Sequence, residues 1–122
     1  MKKVNISGKL ELIKDQWNPR IVGELNGQHI RLVKIQGDQF EPHIHEDEDE
    51  MFYVVKGWIW LDFISHKERV EEGEFIIVPK GILHRPIAEQ EAELMMFVTN
   101  KNVNTGDRKN PYTLDTNKLN RL

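Results

Sequence analysis

The sequence predicts an all-β protein, a barrel or sandwich of short antiparallel strands with little helix. Three observations lead there. Apolar and polar residues alternate with period two along several runs, most clearly Met51–Lys56 and Trp58–Phe63. Turn signals separate the runs at Asn26-Gly27, Gly57, Gly73 and Pro79-Lys80-Gly81. Helical spacing of apolar residues occurs only near the N-terminus, too little for a helical or α/β architecture.

Composition sets the outer limits. A chain of 122 residues is expected to form one domain with one real core, and 39% apolar with 30% charged residues suits a globular protein. We divide it into an N-terminal extension (residues 1–20), a barrel (21–99) and a polar C-terminal tail (100–122). The net charge of −3 makes neither nucleic acid nor an anionic membrane an expected partner. No apolar run reaches membrane-spanning length. The basic start Met1-Lys2-Lys3 has no apolar core behind it, so no signal peptide is expected. The absence of cysteine excludes disulfides, thiolate metal ligands and a Cys nucleophile. It also fits a reducing cytoplasm, the expected location.

In chain order, Ile6, Leu10 and Ile13 recur near helical spacing, with Ser7 as the expected cap and Leu10 on the inner face. Pro19 disfavours helix at Asn18 and ends that element. Ile21–Leu25 and Ile30–Ile35 then form a hairpin around the two-residue turn Asn26-Gly27. His29, beside the turn, is expected on the surface.

Further strands are expected at Gln39–His45 and Met51–Lys56. With Glu50 facing inward, alternation sends Phe52 and Val54 inward and Met51, Tyr53 and Val55 outward. Past Gly57, Ile59, Leu61 and Phe63 fill the barrel, while Trp58, Trp60 and Asp62 face out. The tryptophans with Tyr53 and Val55 then make an outward apolar patch. Either the N-terminal segment covers it or it is a homodimer interface, and we expect the homodimer. Ile64–Val70 carries a polar turn with an exposed His66. Phe75–Val78 and Leu94–Val98 are short apolar strands, the second entered from the acidic stretch Glu89–Glu93. The tail should be irregular, pinned to the barrel by Tyr112 and Leu114.

Chemistry concentrates between Gly37 and His84. His43 and His45 are two apart, so on a strand both imidazoles share a face. Glu50 lies at an odd offset from them, and a reversal at Glu46–Asp49 returns it on the neighbouring strand beside the histidines. His84 follows a Pro-Lys-Gly turn that can bring it to the same place. Three imidazoles and a carboxylate converging inside a β-structure point to a divalent metal of borderline softness such as Fe, Mn, Co, Ni, Cu or Zn. The alternative is a hydrogen-bonded core in which Glu50 pairs with a histidine, and the cost of burying a charge weighs against it. The acidic run Glu46–Asp49 reads as a solvated loop. Arg85, turned away from His84 by alternation, is expected to pair with that loop.

These residues resemble the motifs of the cupin family. The first cupin motif, G-x5-H-x-H-x3–4-E-x6-G, is matched by Gly37, His43, His45, Glu50 and Gly57 at every spacing. The second, G-x5-P-x-G-x2-H-x3-N, is matched by Gly73, Pro79, Gly81 and His84, with Ala88 in place of the final Asn. The His43–Glu50 run and Val103–Asp107 resemble in particular the small stand-alone bacterial cupins of the conserved-barrel type. The resemblance implies an antiparallel jelly-roll β-barrel and one divalent transition metal held by His43, His45, Glu50 and His84.

Cupins include dioxygenases, sugar and sugar-phosphate isomerases, storage proteins and sensors, so the fold does not select a reaction. The favoured expectation is a metalloenzyme, a dioxygenase or an isomerase, acting on a small polar metabolite. Metal-bound water would do the chemistry, with Glu50 available as acid or base. The alternative is a non-catalytic module binding a small ligand through its metal. Polar groups beside the metal favour catalysis, and an apolar closed pocket favours binding.

Overall fold

A computed structural model describes residues 1–122. Strands account for 46% of the chain and helix for 7%, so the protein is all-β as expected. The elements in order are α1 (Ile6–Glu11), β1 (Arg20–Leu25), β2 (Gln28–Gly37), β3 (Glu50–Lys56), β4 (Trp58–Asp62), β5 (Lys67–Glu71), β6 (Phe75–Val78), β7 (Arg85–Thr99), a 3-10 turn (Thr116–Lys118) and β8 (Asn120–Arg121).

The long strand β7 organises the others. Its first residues pair with β4 (Leu61↔Pro86), and its remainder pairs on one side with β2 (Arg31↔Met96) and on the other with β3 (Phe52↔Met96). A short apolar strand at Leu94–Val98 was the expectation. The strand runs back to Arg85 because backbone pairing with β2 and β4 carries it through the polar stretch, whatever the side chains. The β1–β2 hairpin turns at Asn26 (φ 51°) and Gly27 (φ 74°), the left-handed pair that an Asn-Gly turn supplies.

The core follows the predicted alternation. Phe52 and Val54 of β3, Ile59 and Leu61 of β4, and Leu94, Met96 and Val98 of β7 all face inward and are buried. Asp62 departs from expectation, being buried rather than exposed. Its carboxylate accepts from the Ile64 amide (2.9 Å) and pairs with Arg85 (3.2 Å). Arg85 therefore pairs with Asp62 and not with the acidic loop. The expected strand Gln39–His45 forms only an isolated bridge, His43↔His84, because no continuous partner lies beside it.

Helix α1 forms where expected, capped by Asn5, whose Oδ1 accepts from Gly8 N at 2.8 Å; Ser7 is inside the helix. It buries Leu10 against Ile13 and Leu32, with Val55 and Met95 at the margin. The N-terminal segment thus covers the Val55 part of the outer face. Trp58 and Trp60 are shielded from the other side, with the Arg69 guanidinium 3.8 Å from the Trp58 ring centroid.

The tail is irregular until β8, which adds in parallel to β1 (Ile21↔Arg121). Its anchor is more polar than expected. The buried Asn104 donates to Tyr112 O (2.8 Å) and accepts from Leu114 N (2.9 Å). Asp107 clamps Ile44, its Oδ1 accepting from Ile44 N (2.9 Å) and its own amide donating to Ile44 O (3.1 Å). Between these anchors Gly106 passes so close that a Cβ would stand 2.6 Å from Ile44 O and 2.7 Å from His43 Cδ2. Gly106→Ala is expected to cost about 1–3 kcal/mol in denaturant unfolding. Gly27→Ala, which also has positive φ but nothing within 4 Å, is the control and should cost less. Equal losses would show that the tail does not pack tightly at His43.

Candidate metal centre

Two turns, the acidic loop and Pro79-Lys80-Gly81, deliver four side chains to one point. His43 and His45 sit two residues apart on the extended segment before the acidic loop, and Glu50 opens β3. The Pro79-Lys80-Gly81 turn joins the two halves, Gly81 N donating to His45 O (2.9 Å) and Lys80 N to Asp49 Oδ1 (2.9 Å). His84 follows and exchanges both backbone hydrogen bonds with His43 (2.9 and 3.0 Å). Glu50 pairs in the sheet with Val78. It therefore reaches the histidines across the Pro79–His84 connection rather than by pairing directly with their segment.

All four residues predicted from the sequence converge here. They are buried, and one nitrogen or oxygen from each lies within 4.8 Å of the others. His84 Nε2 stands 3.1 Å from Glu50 Oε1 and His45 Nε2 stands 3.2 Å from Glu50 Oε2. Two backbone carbonyls set the tautomers. His43 Nδ1 lies 2.9 Å from Glu41 O, and His84 Nδ1 lies 2.8 Å from Ile82 O. A carbonyl only accepts, so both Nδ1 atoms carry the proton and the Nε2 lone pairs of the neutral rings turn inward. His84 Nε2 then faces a carboxylate oxygen at 3.1 Å, a contact that needs either a proton on Nε2 or a metal ion between the two atoms. His45 Nε2 is fully buried and, despite standing 3.2 Å from Glu50 Oε2, makes no aligned hydrogen bond.

These observations fit a metal ion. Ligand atoms at about 2.1 Å from an ion stand about 3 Å apart on neighbouring positions, as the two histidine–Glu50 distances do. Imidazoles whose second nitrogen donates to a backbone carbonyl are the form in which histidine usually binds metal.

Among themselves, the histidines and Glu50 shift one another's protonation. Burial would raise the Glu50 carboxyl, but its contacts with His45 and His84 outweigh that and hold it well below the ordinary carboxylate range. Burial would lower His45, but Glu50, with Glu48 and Asp107 further off, raises it instead. His43 lacks such a close carboxylate contact, and burial pushes it down to about 4.

Several residues of the site were not legible as such. Asn102 is buried and its Nδ2 donates to Glu50 Oε2 (3.1 Å) and Glu48 Oε1 (2.7 Å). Glu48 also accepts from Thr99 Oγ1 (2.7 Å), so part of the acidic run is structured at the edge of the site, while Glu46 and Asp47 are exposed. Arg31 is wholly buried beside His29. Both lie in phase with inward Val33 and Ile35 on β2, a signal masked because Ile30 and Leu32 make the other face apolar too. His29 is accordingly buried, not on the surface as expected. Arg31, His43, Glu50 and Asn102 line a cavity closed by Phe52 and Met96, with about 40 Å³ available to the centres of water molecules.

Comparison with known proteins settles the family. The cupin-domain family model matches residues 31–100, more than half of the chain. The chain belongs to the cupin family. Among solved structures, the cupin-2 domain protein of Shewanella frigidimarina is 34% identical with a TM-score of 0.75, over 77% of this chain and 91% of that one. Protein YdbB of Bacillus subtilis is 30% identical over 74 residues, 60% of this chain and 65% of YdbB. The acireductone dioxygenase of Puccinia graminis f. sp. tritici is 31% identical over 74 residues, 56% of this chain and 37% of the dioxygenase. The cupin thus spans less than two thirds of these two curated relatives.

The site makes a pH prediction for the chelated, metal-free cupin. His43 in the folded chain refuses a proton down to about pH 4, whereas in the unfolded chain it accepts one near 6.5. Its folded value is depressed, so its contribution is present above pH 6.5 and is lost as pH falls toward 4, by roughly 3 kcal/mol. The raised His45 acts oppositely, but only above 6.5. Denaturant unfolding at pH 6.5 and pH 4 measures the difference. Equal stability at both would show that His43 is not buried neutral.

Proposed function

We propose that this cupin binds one divalent transition metal through His43, His45, Glu50 and His84 and acts as a metalloenzyme on a small polar metabolite. The observation that carries the reading is the convergence of three imidazoles on Glu50: the Nε2 atoms of His43 and His84 turn inward opposite protonated Nδ1 atoms, and the buried His45 Nε2, 3.2 Å from Glu50 Oε2, makes no aligned hydrogen bond. In a hydrogen-bonded core such an atom is rare. With no sulfur donor, the set suits Fe, Mn, Co, Ni, Cu or Zn. When bound, such an ion supplies Lewis-acid polarisation, activation of water or, if redox-active, dioxygen chemistry.

The chain's own residues supply orientation and proton handling. Glu41 O and Ile82 O fix two imidazoles, and Asn102 holds Glu50 Oε2, leaving that carboxylate able to act as acid or base. Phe52, Leu94 and Met96 form an apolar part of the cavity wall. Polar Arg31, Asn102 and Asn104 share that cavity with His43 and Glu50 of the cluster, which favours catalysis over simple ligand storage. Among reactions, oxidation by dioxygen comes first, supported by the similarity to an acireductone dioxygenase. Isomerisation ranks behind it. The second reading, a metal-dependent small-ligand binder, is favoured by the predominance of apolar groups in the cavity wall. A homodimer is part of the proposal, supported by apolar Phe75 and Ile77, which stand exposed on β6.

Metal analysis of untagged protein by inductively coupled plasma mass spectrometry tests the reading first. Near-stoichiometric transition metal is expected, and His45→Ala and His84→Ala should each weaken metal affinity by about 10–100-fold or more. Near-normal occupancy in both variants would remove the four-ligand centre. Oxygen uptake by the iron-loaded protein with small keto and hydroxy compounds then separates an oxidising enzyme from a binder.

A further inference from the structure

Arg31 is the least expected residue in the barrel. It lies on β2, facing inward, with 2% of its surface exposed. Removing a guanidinium from water costs several kcal/mol unless an anion compensates. Here every partner is neutral. Nε and Nη2 donate to His29 Nδ1 at 3.2 and 3.0 Å, and Nη1 donates to Asn102 O (2.9 Å) and to its Oδ1 (3.3 Å). Of five N–H groups these use four, leaving one. No carboxylate oxygen comes within 4.0 Å of the guanidinium, although six other basic residues, histidine aside, are paired that closely. Glu48 and Glu50 favour its charge only from further away, and burial outweighs them, depressing the group below its ordinary value.

His29 is built to serve this charge. Because its Nδ1 accepts from Arg31, its proton sits on Nε2, 3.7 Å from Glu24 Oε1. Burial, and then the Arg31 charge, lower its pKa and keep it neutral. The guanidinium is thus held in place by groups that do not neutralise it. A fixed cation in a cavity, with no carboxylate of the chain in direct contact, is a receptor for an anion.

Charge balance and size narrow that anion. Asn102 links Arg31 to Glu48 and Glu50, so the linked group carries one positive and two negative charges. A divalent ion at the histidine cluster turns the net −1 into +1, which a single negative charge balances. The cavity, with about 40 Å³ for water centres, has room for about three waters, the size of a carboxylate and its neighbouring atom.

We propose that Arg31 is the anion-recognition residue of the pocket and that the molecule held there is a small monocarboxylate, its carboxylate on the guanidinium and a neighbouring oxygen toward the histidine cluster. This substrate class rests on the metal reading above.

The test uses the full chain titrated first with cobalt(II), whose visible spectrum reports the centre. Lactate and pyruvate, and their neutral amides, are then titrated calorimetrically into the loaded protein. Each acid is expected to bind at least about tenfold more tightly than its amide and to perturb the cobalt spectrum. Arg31→Met should keep stoichiometric cobalt yet lose that preference. If Arg31→Met does not fold, Arg31→Lys, which keeps the charge but loses the planar fork, should still lower the preference severalfold. Acid and amide binding alike, neither binding, or a preference intact in the folded variant would overturn the proposal while the metal centre stands. Failure of the wild-type chain to take up cobalt would be seen before any ligand is added, and would overturn the metal reading and this one together.

Discussion

A carboxylate with 4% of its surface exposed, inside a barrel otherwise packed with Phe52, Val54, Leu61 and Leu94, is the constraint on which the rest depends. Such a group is tolerable only when its oxygens are matched by donors or cations. Glu50 has one clear donor, the Asn102 amide, and otherwise faces two imidazole nitrogens. Those nitrogens are not donors of choice. The carbonyl at Ile82 claims the proton of His84 at Nδ1, and Asn102 Nδ2 approaches His45 Nδ1 at 3.4 Å from the donor side. If His45 therefore carries its proton on Nε2, that proton finds no aligned acceptor. The local structure satisfies the outward nitrogens and leaves the inward ones for something else. A buried ion pair is weak support for stability, but a His84 Nε2 facing a carboxylate with its Nδ1 already protonated, beside a His45 Nε2 with no aligned partner, supports a cation there.

The fold serves this point by bringing together segments far apart in sequence. His43 and His84 are joined by backbone hydrogen bonds, so the position of one imidazole fixes the other. The Pro79 turn is tied to the acidic loop through Lys80 and Asp49. The tail closes the third side, with Gly106 against His43 and Asn102 against Glu50 and Glu48. Asn102 is the hinge of the polar network, since its amide nitrogen serves the carboxylates and its oxygen serves Arg31. The proposed metal centre and the proposed anion site therefore share a support. A change at Asn102 acts on both at once, unlike a change at Arg31.

How much of this was legible depends on how each residue is placed. The four clustered residues were legible because strand period and turn positions are local, and the inward set of β3 and β4 followed from the same alternation. Arg31 and His29 were not, because β2 is buried on both faces and a two-sided apolar pattern hides its phase. Asn102 and Asn104 were not, because a polar tail has no period, and burial there is decided by hydrogen bonds to distant residues. Asp62 and Arg85 were each read one side at a time. Their pairing across β4 and β7 buries a charged residue at a position that alternation assigns to solvent.

The same distinction bears on what the site can discriminate. The three imidazoles and Glu50 define the donor chemistry, and cupins with unrelated activities share that much, so the cluster cannot select a substrate. Selection has to come from what the cluster does not contain: the guanidinium on β2, the amide from the tail and the apolar wall of Phe52 and Met96. An apolar wall alone discriminates weakly, since adding or removing a methylene changes binding by only about 1–3 kcal/mol. A buried polar group discriminates strongly, because a ligand that fails to match it leaves that group unpaired. Arg31 is the one full charge in the wall outside the ligand cluster, so it is there that this barrel has the means to choose one small molecule over another.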